Sequence, residues 1–202
     1  MSELDLRREL KHLFSPSPRA FELVDVPELN MLMIDGAGSP EGQRFQDAVQ
    51  ALYSVAYTLK FSIKKSHGIQ YQVMPLEGLW WTDEEGLDLE QREDWLWTLM
   101  IIQPEFITSE MVGAAMQQAR QKKGPASLDG VRLERFHERL CVQTMHIGPY
   151  SAEAPTIARM HEFMEANGYR PRGRHHEIYL GDPRRAAPEK LKTVLRHAVE
   201  CM

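Results

Sequence analysis

The sequence contains very few cysteines and no motif that would place them at a metal or redox centre. Only Cys141 and Cys201 occur among 202 residues, and they form no CxxC pair. This excludes a disulfide scaffold and predicts a reduced, cytoplasmic setting. The eight histidines are scattered, without an HExxH motif. We therefore predict that the protein holds no metal and no other cofactor.

Other absences exclude further classes of protein. The net charge is −5, so the basic excess typical of nucleic-acid-binding proteins is missing. No apolar run is long enough to span a membrane, and the N-terminus lacks the apolar core of a signal peptide. The GxSxG elbow of serine hydrolases is missing, and residues 36–38 are too short for a dinucleotide fingerprint. We expect neither nucleic acid nor a membrane as a partner.

The chain instead shows a faint internal repeat at a spacing of about a hundred residues. Three pairs of residues define it: Gly38 with Gly148, Gly68 with Gly168, and Glu77 with Glu177. Each half has the pattern of strand, helix, strand, strand. We predict an α+β fold of two β-α-β-β repeats, at about 21–104 and 131–202, joined by a helix at 109–123. Residues 1–20, charged and then rich in Ser and Pro, are interpreted as a lead-in segment.

In the first half, two sequence features indicate where strands and a helix begin or end. Residues 21–26 and 29–35 are apolar runs split by a proline, which predicts two strands or one bulged strand. Ser39 followed by Pro40 is typical of a helix start, since Ser caps free N–H groups and Pro suits the first helical position.

In the second half, strands are predicted at 131–136 and 139–147. Residues 191–199 are ambiguous, because their apolar spacing suits a helix while their β-branched residues suit a strand. The strand predicted at 95–103 occupies the matching place in the first half. The repeat therefore favours a strand at 191–199.

Glu177 is the candidate centre of a binding site. A carboxylate inside an apolar, aromatic strand is costly to bury unless it meets a cation, a donor or a polar ligand. Strand alternation places His175, Glu177 and Tyr179 on one face. A salt bridge to Arg172 or Arg174 is the alternative role for this glutamate. The repeat favours a functional role.

The tryptophans form a second signal. All four lie on two predicted strands that neighbour each other in sequence: Trp80, Trp81, Trp95 and Trp97. Core packing accounts for one or two of them and stays open as an explanation for all, but indole rings are also good walls for flat or cationic ligands. Strand alternation places Glu77 and Trp81 on one face and Trp80 on the other. Pro75 can interrupt the strand, so which residues share a face stays open. Whether Glu77 lines the cleft or caps a turn also stays open.

Four segments resemble the GyrI-like small-molecule-binding proteins. This family includes the gyrase-inhibitor protein and the effector-binding domains of multidrug-sensing transcription regulators. The segments are residues 33–38, 71–81, 95–104 and 176–180. The resemblance covers about residues 20–200, and the strings Pro-Leu-Glu-Gly-Leu-Trp-Trp and Trp-x-Trp-Thr are typical of a stand-alone branch.

The resemblance implies a single domain over 21–202, with pseudo-twofold symmetry and a central ligand cleft. It implies binding of small amphipathic aromatic, often cationic, molecules for sequestration or sensing, around a central glutamate that corresponds to Glu177. The predicted ligand-binding residues are Tyr71, Trp80, Trp81, Trp97, Tyr150, Glu177 and Tyr179. A monomer or a weak dimer is expected.

The stand-alone branch also implies an alternative function, because some of its members resemble hydrolases that open electrophilic cyclopropane rings of DNA-alkylating natural products. Whether the chain is an enzyme stays open. The candidate catalytic residues are Glu177, which could activate water, and Tyr71, which could donate a hydrogen bond to a carbonyl. A partner-binding protein, such as a gyrase modulator, is a third possibility.

Overall fold

Two matched sets of three strands and one helix build the fold in a computed structural model that describes residues 2–82, 92–122 and 124–202. The chain order is β1 (Ser2–Leu4), α1 (Leu6–Glu9), α2 (Lys11–Phe14), β2 (Glu22–Ala37), α3 (Gln43–His67), β3 (Ile69–Tyr71), β4 (Leu76–Trp81), β5 (Leu96–Gln103), α4 (Ser109–Gln121), β6 (Arg132–Ile147), α5 (Ala154–Ala166), β7 (Tyr169–Tyr179) and β8 (Lys192–Cys201). Within the described ranges, the helices are too short or too polar to cross a membrane.

Six antiparallel strands form one sheet in the order β2, β5, β4, β7, β8, β6, and β6 pairs again with β2 to close it. The first set contributes β2, β4 and β5, and the second contributes β6, β7 and β8. The long strands β2 and β6 pair with each other, and so do β4 and β7. The predicted α+β fold of two β-α-β-β repeats with pseudo-twofold symmetry is confirmed.

Local differences from the predicted elements have identifiable causes. Both β2 and β6 run unbroken for 16 residues, although Arg139 within β6 has a φ of 67°. Helix α3 begins at Gln43 and not at Ser39, because the Ser39 hydroxyl and carbonyl accept hydrogen bonds from the amides of Glu41 and Gly42 and form a turn. The strand predicted at 191–199 is confirmed as β8.

The sheet has two faces, which we name by what packs on them. On the helical face, the Phe45 ring of α3 lies 5.7 Å from the Trp80 ring and 5.5 Å from the Trp97 ring. Helix α5 lies on the same face, where the rings of His161 and His197 are 5.7 Å apart. The opposite side is the reverse face. Helix α2 packs on the reverse face. Other elements therefore cover both faces of the sheet.

The N-terminal segment is anchored to the reverse face. Arg196 donates a hydrogen bond to the Leu13 carbonyl at 2.7 Å, and Gln143 donates one to the His12 carbonyl at 2.8 Å. Leu13 and Phe14 are buried in the core. The prediction of a lead-in segment was based on the charged and Pro-rich composition of residues 1–20. That composition gives no sign that Leu13 and Phe14 are core residues.

A buried ionic network ties four strands together on the reverse face. His176 of β7 lies between two carboxylates: its Nε2 is 3.0 Å from Glu77 Oε2, and its Nδ1 is 3.0 Å from Glu138 Oε2. Arg196 Nη1 is 3.6 Å from the same oxygen of Glu138. All four side chains are at least 96% buried. Glu77 therefore neither lines a cleft nor caps a turn.

The network determines the charge states of its members. Burial alone would lower the pKa of His176, but the neighbouring Glu138 and Glu77 carboxylates outweigh it and raise that pKa to about 9. Burial likewise opposes ionisation of Glu138, but His176 and Arg196 lower its pKa to about 2. His176 is thus a cation at neutral pH, held by anions on both sides. Removing one partner of such a network leaves an uncompensated buried charge.

We predict a stability loss at alkaline pH that His176 causes. Its folded pKa of about 9 lies above its ordinary value of 6.5, so its stabilisation is complete below pH 6.5 and is lost as the pH rises through 9. The free energy of unfolding from urea titrations should fall over this window by about 3 kcal/mol. In His176→Gln this fall should be absent, whereas the exposed control His67→Gln should keep it. A fall of equal size in His176→Gln would contradict the assignment.

Candidate functional site

Two adjacent strands and the turn before α5 bring a candidate site together on the helical face. Strand β4 provides Trp80, strand β7 provides Glu177 and Tyr179, and the short 3₁₀ turn after β6 provides Tyr150. Residues directly opposite each other in an antiparallel pair share a face, and Gly78 lies opposite Glu177. The glycine leaves room for the carboxylate and the rings around it.

The repeat-based pairing of Glu77 with Glu177 is wrong. Glu77 contacts His176 on the reverse face, whereas Glu177 lies opposite Gly78 on the helical face. Positions related by a twofold axis must share a face, so these two glutamates are not equivalent. The spacing of 100 residues is therefore wrong by an odd number of residues; residues 72–75 before β4 are not in a strand, whereas β7 runs from Tyr169 with a register shift between Pro171 and His175.

Among the described residues, Glu177 is buried without an arginine partner. The residue is 9% exposed, and its Oε1 lies 3.3 Å from Nε2 of His175. The alternative role, an ion pair with a neighbouring arginine, is not formed: Arg172 donates to a backbone carbonyl at 2.6 Å, and Arg174 lies over an indole ring. The predicted grouping of His175, Glu177 and Tyr179 on one face is confirmed.

Tyr179 connects Glu177 to an aromatic wall, which is formed by Trp80 with Phe45 and Trp95. The Tyr179 hydroxyl accepts a hydrogen bond from Trp80 Nε1 at 2.9 Å and is close enough to the Glu177 carboxylate for that group to act on its pKa. Burial, reinforced by the charge of Glu177, raises the pKa of Tyr179 well above its usual value. The Tyr150 ring packs edge-on at 5.6 Å, and burial together with Glu153 and Glu177 raises its pKa to about 12. Both phenols therefore stay protonated donors at neutral pH.

Glu153 is a second buried carboxylate that the sequence analysis missed. It is 4% exposed and lies directly before α5. Its charge acts on both Tyr150 and Tyr179. An acidic residue at a helix N-terminus is common for capping reasons alone, so nothing in the sequence distinguished it.

The remaining predicted tryptophans occupy different surroundings. Trp97 is 1% exposed and its Nε1 donates to the Gly38 carbonyl at 3.1 Å, so it is a packed core residue of the helical face. Trp81 lies on the reverse side, where the Arg174 guanidinium is 3.4 Å from its ring centroid. Trp95 extends the aromatic wall, with its ring 5.3 Å from that of Trp80.

Tyr71, predicted as a catalytic donor, lies on β3, which pairs with β1 outside the closed sheet. It is 2% exposed, and among the described residues its hydroxyl has no hydrogen-bond partner. Burial raises its pKa, so it is a neutral donor. Its catalytic role stays a prediction, since no contact described in the structure joins it to Glu177.

Three neighbouring histidines, His175, His197 and His161, form a row of imidazole rings from Glu177 to the protein surface. The rings of His175 and His197 are 6.1 Å apart, and those of His197 and His161 are 5.7 Å apart. Burial and the two neighbouring imidazoles lower the pKa of His197 to about 3, so this ring is neutral. Throughout the described part of the chain, no set of three or more His, Cys, Asp or Glu side chains has the arrangement of a metal site.

The comparison with protein families identifies one match. The sequence model described as GyrI-like small molecule binding domain matches residues 19–198, which confirms the resemblance seen in the four segments. A comparison with curated proteins found no match.

Solved structures match over nearly the whole chain. An uncharacterized conserved protein from Listeria innocua is 45% identical with a TM-score of 0.91, over 98% of this chain and 100% of that one. A hydrolase from the same organism is 44% identical with a TM-score of 0.89, at the same coverage. The C-terminal domain of EcmrR has a TM-score of 0.61 over 91% of this chain and 98% of that one. At 12% identity, that similarity shows the fold alone.

We predict that a side chain at position 78 disrupts the site. A Cβ there would lie 2.8 Å from Trp80 Nε1 and 3.2 Å from the Tyr179 hydroxyl. Gly78→Ala should separate these two groups, shift the tryptophan emission and lower the free energy of unfolding by about 1–3 kcal/mol. The control Gly113→Ala in α4, whose Cβ would meet nothing within 4 Å, should stabilise by about 0.5–1 kcal/mol. Similar results for both variants would exclude the predicted crowding.

Proposed function

We propose a function from the premise that this chain belongs to the GyrI-like small-molecule-binding family, whose sequence model covers residues 19–198. The site around Glu177 binds small, amphipathic, aromatic and often cationic molecules, which the protein sequesters or senses. One observation carries the proposal. A buried carboxylate acts electrostatically on two tyrosines, one of which is hydrogen-bonded to a tryptophan, and has only an imidazole as a basic neighbour among the described residues.

The electrostatics of the site favour a cation. Burying a carboxylate without a cationic partner is costly, and a ligand with a delocalised positive charge removes that cost for Glu177. The protonated hydroxyls of Tyr150 and Tyr179 can donate hydrogen bonds but cannot supply positive charge, so they leave the preference for cations intact.

The aromatic wall favours a flat, apolar ligand body. Trp80 packs between Phe45 and Trp95, with ring centroids 5.7 Å and 5.3 Å away. The face of an indole attracts cations, and each such contact adds ~0.5–2 kcal/mol when it is shielded from water. A rigid wall of this kind recognises aromatic bodies by shape and charge and not by specific hydrogen bonds. This suits a set of related ligands better than a single one.

A second candidate function is hydrolysis of an electrophilic cyclopropane, and two observations favour it. A hydrolase from Listeria innocua is 44% identical over 98% of this chain, and Tyr179 is a protonated donor beside the Glu177 carboxylate. Glu177 would take a proton from water as the water oxygen forms a bond to a ring carbon. The ring C–C bond would break towards a conjugated carbonyl, whose growing negative charge accepts a hydrogen bond and then a proton from a tyrosine.

Ligand binding should depend on the charge of Glu177. We expect tetraphenylphosphonium to quench the tryptophan fluorescence saturably, and Glu177→Gln to raise its dissociation constant about tenfold or more, because the cation loses its buried counter-charge. Glu134→Gln removes the same charge at the surface, from an exposed ion pair, and should leave the dissociation constant unchanged. Equal effects of the two variants would contradict a specific role for Glu177.

Turnover separates the two functions. If the chain is a hydrolase, incubation with an uncharged cyclopropane-bearing aromatic electrophile should yield the water adduct over many turnovers by mass spectrometry. Glu177→Gln should then lose turnover by at least ~10²-fold while it still binds the uncharged substrate. Binding without product would leave sequestration or sensing as the function. A single covalent adduct per protein molecule would exclude hydrolysis.

A further inference from the structure

A cavity lies on the reverse face, between the N-terminal segment and the sheet. Its volume is about 470 Å³, within the range of roughly 300–1,000 Å³ typical of small-molecule sites. It forms where β6 extends past its pairing with β2, which ends at Gln143 opposite Glu22. Beyond this point the chain before β2 follows the free edge, and the Met145 amide donates to the Ser17 carbonyl at 3.4 Å.

Six of the nine side chains that line this cavity are apolar, and Ser15 adds one hydroxyl. The apolar side chains are those of Phe14, Pro16, Pro18, Met145, Ile147 and Leu180. Strand alternation turns the β6 residues among them towards the reverse face, away from Glu177. Ile147 is 49% exposed.

Two cations complete the lining. Arg7 of α1 and Lys192 of β8 both border the cavity, and no acidic side chain does. Lys192 lies directly opposite Ile147 in the sheet. No carboxylate within the described ranges forms a salt bridge with either cation. By contrast, Arg132 and Arg135 each form salt bridges with carboxylates at the surface. The cavity is therefore an apolar space bordered by uncompensated positive charge.

We propose that this cavity binds a single-chain anionic amphiphile. A carboxylate or sulfate head would contact Arg7 and Lys192, and the hydrocarbon chain would lie against the apolar walls. Charged hydrogen bonds from an arginine and a lysine suit an oxyanion, and the other lining side chains, Ser15 apart, are apolar. The Glu177 site has the opposite preference, because its carboxylate repels anions. The two faces of the sheet would thus select small molecules of opposite charge.

The test is isothermal titration of the full chain with monomeric decanoate, below its micelle concentration. Decyltrimethylammonium and decanol serve as matched probes of positive and zero charge. We expect decanoate to bind at least tenfold more tightly than either. Lys192→Gln and Arg7→Gln should each weaken it about tenfold, since each removes one charged contact. Lys64→Gln, which removes a charge on α3 outside the cavity, should have no effect.

A further variant tests the site without disturbing the core. Because Ile147 is half exposed, Ile147→Glu should fold normally, repel the decanoate head and leave decyltrimethylammonium binding unweakened. Equal affinity for the three probes, or no effect of these substitutions, would overturn the proposal. Binding only to phosphatidylglycerol vesicles, and not to monomeric decanoate, would instead indicate a membrane-lipid surface and would also overturn it. Glu177→Gln should leave decanoate binding unchanged, so this proposal and the cation site fail independently.

Discussion

A protonated imidazole between two buried carboxylates is the interaction on which the arrangement of this sheet depends. His176 contacts Glu77 of β4 and Glu138 of β6, and Arg196 of β8 completes the network. These contacts hold β7 in one register between its neighbours, since a shift by one residue would leave each charge buried and unpaired. The same register turns the next residue, Glu177, to the other face of the sheet.

The two faces therefore treat buried charge in different ways. On the reverse face, positive and negative groups compensate each other, which is a structural role. On the helical face, Glu177 has a tyrosine donor and an imidazole beside it but no arginine or lysine among the described residues. That imbalance, surrounded by aromatic rings, is the basis on which we propose a ligand site and not a structural ion pair. The cavity beside Arg7 and Lys192 shows the opposite imbalance.

Much of this could be predicted from the sequence, because it depends on local patterns. The order of strands and helices followed from apolar periodicity, and the face shared by His175, Glu177 and Tyr179 followed from alternation. Glu153 could not be found, because an acid before a helix has the same local pattern whether it caps the helix or faces a cleft. Glu77 was matched to Glu177 by spacing alone, and the chain around Pro75 does not keep strand alternation, so their faces differ.

The amino-acid sequence by itself determined the tandem fold and the family, since the order of elements and the family strings are patterns within short segments, and it predicted a central role for one glutamate among aromatic residues. Only the tertiary structure decided which charges are compensated. Hydrogen bonds join residues that are far apart in sequence: His176 with Glu138, Arg196 with Gln143, and Trp80 with Tyr179. Burial and partners at such distances depend on strand register and closure of the sheet, which no local pattern specifies.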